Sequence, residues 1–184
     1  MEIKINSLIP CSNQLKFVEI FGYTSKGTPG LEVAGLGAKG RHLKEKLIYL
    51  SKRRNLKFPI LRYVICINGE ELSRFDLSWL ELPMLLAFWS MTKTLSMKRL
   101  DNCLASAAVS LEGEINYLKL DPSFWLNMNK MLTRKNKQMI YIGNDEPVNY
   151  SQIYHLDSLE ILNDEIGGFT HIDNEFANSM YLGK

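Results

Sequence analysis

Thr28-Pro29-Gly30-Leu31-Glu32-Val33-Ala34-Gly35-Leu36-Gly37-Ala38-Lys39-Gly40, continued through Leu43, Leu47 and Leu50 to Arg62-Tyr63-Val64-Ile65-Cys66-Ile67, is the stretch on which the fold turns. Ser25 to Gly30 is a cluster of turn formers, and Leu31 to Ala34 after it reads as a strand. From Ala38 to about Lys52 the leucines at 43, 47 and 50 recur at spacings of four and three, which places them on one face of an amphipathic helix. Phe58-Pro59 breaks that period. Arg62 to Ile67 is then an almost unbroken apolar run, expected to be a central strand covered on both faces, and Asn68-Gly69 ends it.

Outward from this centre, Leu15 to Tyr23 alternates around Phe17 and Phe21 as a strand does. Downstream, Pro83 suits the first turn of a helix running to about Leu95, apolar nearly all round and therefore expected to be buried. Cys103 to Leu111, Glu112-Gly113 and Glu114 to Leu118 read as the arms and turn of a hairpin. Asp121-Pro122-Ser123 opens a helix to about Leu132, and Gln138 to Ile142 and Ile153 to Leu156 read as strands. Asp157 or Ser158 caps a last helix ending near Asn163. Gly167 to Lys184 has no clear period. The expected organisation is one domain over residues 1–166 and a loosely ordered tail over 167–184.

With 184 residues, 46% of them hydrophobic and 23% charged, the chain is long enough to hold a core without disulfides or metal. Its net charge of +2 predicts neither a general polyanion binder nor a membrane-surface protein. Cys11, Cys66 and Cys103 form no CxxC pair and read as reduced thiols, Cys66 as an inert core thiol inside its apolar run. The first residues lack a basic region followed by an apolar core, and no apolar run approaches ~18 residues, so the expectation is a soluble, cytoplasmic protein.

Several strings, in order, are similar to the ComM proteins, the magnesium-chelatase-related or ChlI-subdomain family. Thr28-Pro29-Gly30-Leu31-Glu32-Val33-Ala34-Gly35-Leu36 resembles the family's Leu-Pro-Gly-Phe-x-Ile-Val-Gly-Leu. Leu56 to Asn68 resembles Phe-x-Phe-Pro-x-x-Arg-Ile-x-Val-Asn-Leu, Leu80 to Ala87 resembles Phe-Asp-Leu-Pro-Ile-Ala-Leu, and Val109 to Ile115 resembles Gly-Glu-Leu-Ser-Leu-Asp-Gly-Glu-Leu. The matches span roughly residues 3 to 165. The resemblance implies an α+β fold: a mixed sheet with helices largely on one face, of the ribosomal protein S-five domain-two-like (Lon-protease-like) type. In the family this domain precedes an AAA+ motor linked to competence and DNA recombination. The sequence contains no Gly-x-x-x-x-Gly-Lys-Ser/Thr, so P-loop nucleotide hydrolysis lacks its first requirement.

Lon-type peptidases activate a serine with a lysine base. The resemblance places the serine position at Glu81 and the lysine position at Pro122, so the pair is absent and a non-enzyme is expected. Ser78 and Lys119 lie three residues away from these positions and leave a shifted dyad as the alternative. Gly35-Leu36-Gly37-Ala38-Lys39-Gly40 has the Gly-x-Gly-x-x-Gly spacing of a pyrophosphate loop, yet no acid lies between Glu45 and Glu70 to hold a ribose. The family's glycine-rich loop before the buried helix is replaced by Leu72 to Trp79, where Phe75 and Trp79 read as partial core. His42, His155 and His171 lack ligand spacing. The pairs Glu70-Glu71, Asp145-Glu146 and Asp164-Glu165 read as solvated. No catalytic residue, cofactor or metal is expected.

Charge is segregated. Residues 39–62 carry nine bases against Glu45, and residues 144–184 carry eight acids against Lys184. On a helix with Leu43, Leu47 and Leu50 inward, Arg41, Glu45 and Lys52 fall on the opposite side, flanked by Lys44, Lys46 and Arg53. Arg41, Lys44, Lys46, Lys52, Arg53 and Arg54 are therefore the candidate partner or nucleic-acid surface; a merely solvated face also accounts for the pattern. Phosphate contact would make binding salt-dependent. Tyr49 is the sole aromatic from Lys39 to Arg54, which limits base stacking. The expected function is a non-catalytic binding or assembly module whose partner is a protein, an AAA+ motor subunit or a second copy, with DNA as the other candidate.

Overall fold

The three leucines of the central helix are all buried, and the strands on either side of that helix lie next to each other in one sheet. In the computed structural model of the chain, which describes residues 1–11, 14–67, 72, 74–95, 100–119, 140–142 and 150–151, the chain opens with a long antiparallel hairpin. Its strands are β1 (Glu2–Cys11) and β2 (Gln14–Ser25), in register from Glu2 opposite Tyr23 to Cys11 opposite Gln14. Then come β3 (Gly30–Ala34), helix α1 (Gly37–Arg53) and β4 (Arg62–Ile67). β3 and β4 are parallel neighbours, and parallel pairing needs a crossover, which α1 supplies. Helix α2 (Glu81–Met91) follows a single 3-10 turn at Ser78–Leu80. The remaining described strands are β5 (Cys103–Ala105), β6 (Ala107–Val109), β7 (Ile115–Tyr117), β8 (Ile140–Ile142) and β9 (Tyr150–Ser151).

Among the described residues the strands form a mixed sheet in the order β3-β4-β2-β1-β5-β8-β9, with β6 and β7 as a separate antiparallel pair. The fold is α+β. Register places Val33, Ile65, Gly22 and Ile3 in one row across four strands. A Cβ on Gly22 would meet Met91 of α2 at 2.9 Å, and one on Gly40 of α1 would meet the Val33 carbonyl at 3.3 Å. Both helices therefore sit on the same face of the sheet. On the other face β2 presents Phe17, Phe21 and Tyr23, all exposed, with the Lys4 ammonium 5.4 Å from the centre of the Phe21 ring.

Every residue of α2 is buried, as its composition predicted, because the sheet lies beneath it while α1 and β6 pack against its other sides. Leu82, Met84, Leu85 and Leu86 are wholly inaccessible, each contributing about 1.5–3 kcal/mol of burial. The helix starts at Glu81, which puts Pro83 in its first turn as expected, and it ends at Met91 rather than near Leu95. Lys93, at φ 61°, then carries a left-handed closing turn in which the Lys93 and Thr94 amides donate to the Ser90 and Trp89 carbonyls.

Two further expectations need correcting, and one strand is additional to them. Glu2–Cys11 is a strand whose pattern is obscured in the sequence by Pro10 near its end. The arm Cys103 to Leu111 is not one strand. Its first part, β5, pairs parallel with β1, and only Ala107–Val109 pairs with β7. The break falls at the buried Ser106, whose hydroxyl accepts the Leu8 amide at 2.6 Å and sits 3.2 Å from the Ser7 hydroxyl, tying the chain to β1. Finally, β4 is not covered on both faces throughout, since Cys66 is half-buried on the helix-free side, and the wholly buried thiol is Cys103. The helices expected over 121–132 and 158–163, the strand over 153–156 and the tail lie outside the described residues. No described helix is long and apolar enough to cross a membrane.

Candidate functional site

Helix α1 divides its side chains by the period of its leucines. Gly40, Leu43, Leu47, Leu50 and Ser51 face the core, and Arg41, Glu45 and Lys52 are exposed, as the helical spacing predicted, together with His42, Tyr49 and Arg53. The six basic candidates nevertheless do different things. Arg41 and Lys52 extend into solvent. Lys44 is half-buried, with its ammonium 3.9 Å from the Glu45 carboxylate. Arg53 donates to the Leu111 carbonyl at 2.7 Å, which fastens the β6–β7 turn to the helix. The Arg54 guanidinium lies 5.9 Å from the centre of the Trp89 ring and donates to the Leu50 carbonyl at 3.5 Å, within the packing of α1 on α2.

Lys46 departs most from the expected surface role. Its ammonium donates to both oxygens of Glu81 at 2.7 Å, and the Val109 amide donates to Oε2 of the same carboxylate, also at 2.7 Å. Glu81 is 5% exposed. Burying a carboxylate is tolerable only when a cation and further donors satisfy it. One carboxylate thus joins α1, the start of α2 and β6. Trp89 adds a second tie, its indole N–H donating to the Ser51 hydroxyl at 2.8 Å while that hydroxyl donates to the Leu47 carbonyl.

This carboxylate, which accepts three hydrogen bonds, is the residue that occupies the expected nucleophile position. Ser78 stands half-buried in the turn before α2, its amide donating to Asp76, and Lys119 is exposed beyond β7; no hydrogen bond joins the two. Pro122 lies outside the described residues. The glycine spacing before α1 has a packing reason: a Cβ on Gly35 would fall 1.8 Å from the Ile67 carbonyl oxygen, and Gly40 allows the close approach of α1 to β3. Phe75 is partly buried against the core, as expected, and its carbonyl accepts the Lys39 ammonium at 2.8 Å. Among the described residues no three histidine, cysteine or acidic side chains gather as metal ligands would.

Beside α1 lies an open cleft of about 420 Å³, lined by His42, Glu45, Lys46, Tyr49 and Leu111. The first four stand at helical spacing on one flank of α1, a pattern readable from the sequence. Leu111 reaches the cleft only because the β6–β7 turn folds over, and the sequence reading missed it. On β3 and β4, outside this cleft, Glu32 and Arg62 form a bidentate pair, and the guanidinium holds the Glu32 carboxyl below the usual carboxylate range.

No protein-family model matches the chain, and no curated protein matches it. The likeness to the ComM proteins rests on the strings quoted above.

Proposed function

We propose that this chain is a non-catalytic binding module with the Lon-protease-like, ribosomal protein S-five domain-two-like fold, related to the amino-terminal domain of ComM-type proteins, which assembles with a protein partner such as an AAA+ motor subunit or a second copy. The observation that carries this reading is Glu81. It stands where the resemblance puts the nucleophile, and its oxygens are taken up by Lys46 and the Val109 amide. A carboxylate so engaged is a structural tie between elements, and a reacting group needs access to substrate, which a side chain only 5% exposed lacks. The exposed bases of α1 supply the docking charge.

The experiment is incubation of the purified chain with a fluorophosphonate probe and with casein. Neither labelling nor cleavage is expected. Stoichiometric serine labelling that disappears in Ser78→Ala would establish the shifted dyad instead.

Exposure of Arg41 and Lys52 beside Lys44 also favours a second reading, nucleic-acid binding. Fluorescence anisotropy with labelled single- and double-stranded DNA at two salt concentrations separates the two. Tight, salt-sensitive binding lost when Arg41, Lys44 and Lys52 are changed to Glu assigns the face to phosphate contact. Weak binding at both concentrations is the expected outcome.

A further inference from the structure

A strand with one face on the core turns polar side chains to solvent on the other, and β2 breaks that rule. Phe17, Phe21 and Tyr23, on the face of the sheet opposite both described helices, are 44%, 41% and 36% exposed. Register sets Leu8 beside Phe17, Cys66 beside Phe21 and Val64 beside Tyr23, so the aromatic row is the outer layer of an apolar surface that crosses β1, β2 and β4. An exposed apolar surface of this kind marks a contact. We propose that this face packs, sheet on sheet, against the same face of a second copy of the chain. The inference rests on the reading of the chain as a protein-binding module; it commits that module to self-association and names the surface used.

Charge selects the occupant. The bases on this face of β1 to β4 are Lys4 and Arg62, and both are committed within the chain: Lys4 to Glu19, beside the Phe21 ring, and the Arg62 guanidinium to both oxygens of Glu32. Glu2 adds one acid at the rim. A phosphate backbone or an anionic lipid surface therefore meets more acids than bases, and a strongly charged peptide of either sign finds its counter-charges already taken. What fits is another flat, apolar surface whose charges are also paired. A two-fold contact uses one patch twice, so it demands a patch that does not repel itself, and this one brings its ion pairs with it. Extent agrees with a weak dimer. From Phe17 to Ser25 β2 runs about 30 Å, and four strands span about 19 Å, giving roughly 550 Å² a copy and roughly 1,100 Å² a pair. That is the lower end of specific interfaces, closed as the two sheets of a sandwich close, about 10 Å apart. The exposed bases of α1 take no part in it.

The test is sedimentation velocity of the full chain from about 1 μM to about 300 μM, with a monomer-to-dimer shift expected inside that range and no weakening of it by added salt. Phe21→Glu and, separately, Phe17→Glu should weaken association at least about ten-fold, since each buries a new charge in the contact. Arg41→Glu, on the other side of the molecule, should leave it unchanged. A second measurement uses the wild-type chain: maleimide labelling of half-buried Cys66 should slow as the dimer forms, while that of Cys11, which packs toward the helix side of the sheet, stays constant. A dimer indifferent to both phenylalanine variants, with Cys66 labelling at one rate throughout, overturns the assigned face. A chain monomeric at every concentration overturns self-association, whether Cys66 then labels fast, which leaves the face to a different protein, or slowly, which assigns its cover to the same chain. None of these results touches the non-catalytic reading, which fails on serine labelling alone.

Discussion

Gly35 sits at φ 91°, where an L side chain is strained, and the space its Cβ would need is occupied by the Ile67 carbonyl oxygen 1.8 Å away. Gly35→Ala should therefore cost on the order of 2 kcal/mol or more by urea denaturation; a loss below about 0.5 kcal/mol would mean that the β3-to-α1 turn yields freely. Cys103 is the other residue whose environment sets a measurable property. Burial, with the Asp101 charge adding to it, pushes its thiol from 9.0 up to about 12. The folded state then keeps a proton that the unfolded chain gives up. The stability from this group is fully present below pH 9 and is lost as pH rises from 9 toward 12, by at most about 1.4 kcal/mol per pH unit. Denaturation series between pH 8 and 11 should show a fall that is shallower in Cys103→Ala. An identical slope in the variant would assign the alkaline loss to other groups.

Helix α2 has no solvent face, and its sequence says so: from Leu82 to Trp89 no residue carries a charge. Its packing depends on neighbours from both ends of the described chain, β1 and β2 beneath and β6 alongside. Leu85, with no accessible surface, fills space among them. Leu85→Ala should cost about 2–5 kcal/mol, seen as a lowered denaturant midpoint with an unchanged slope. A loss under about 0.5 kcal/mol would show a helix that relaxes into the space. Helix α1 is the contrasting case. Its leucine stripe buries one flank, Lys46, Arg53 and Arg54 tie it to neighbouring elements, and Arg41 and Lys52 remain exposed.

Across the whole molecule, one carboxylate connects three elements distant in sequence. Glu81→Gln preserves an acceptor for the Val109 amide but leaves the Lys46 ammonium without its counter-charge. It should cost about 2–3 kcal/mol, somewhat below a fully buried pair, because Lys46 keeps access to water in the cleft. Glu81→Leu should cost roughly 1–3 kcal/mol more, since the Val109 amide is then also unsatisfied. Equal losses in calorimetry would show that the amide finds another acceptor. The same carboxylate positions the cleft: β6 is held to α1 through Glu81 and the following turn through Arg53. Glu81→Gln is therefore also expected to loosen β6 and the turn after it against α1.

The leucine period of α1, the apolar run of β4, the alternation of β2 and the uninterrupted hydrophobicity of α2 are local patterns, and each was legible in the sequence because side-chain direction follows the period of its own element. The exposure of Arg41, Glu45 and Lys52 followed from the same rule. What depended on long-range contact was hidden. Ser106 splits an apparent hairpin arm because its hydroxyl serves the Leu8 amide, nearly a hundred residues upstream. β1 is a strand through its register with β2, in spite of Pro10. Lys46 leaves the set of free cations because Glu81 arrives from another helix, and Leu111 lines a cleft with Tyr49 because a turn folds over α1. Composition and period specify which face of an element is apolar, but a cleft or a buried ion pair requires two elements to meet, and that meeting is fixed by packing across the sheet.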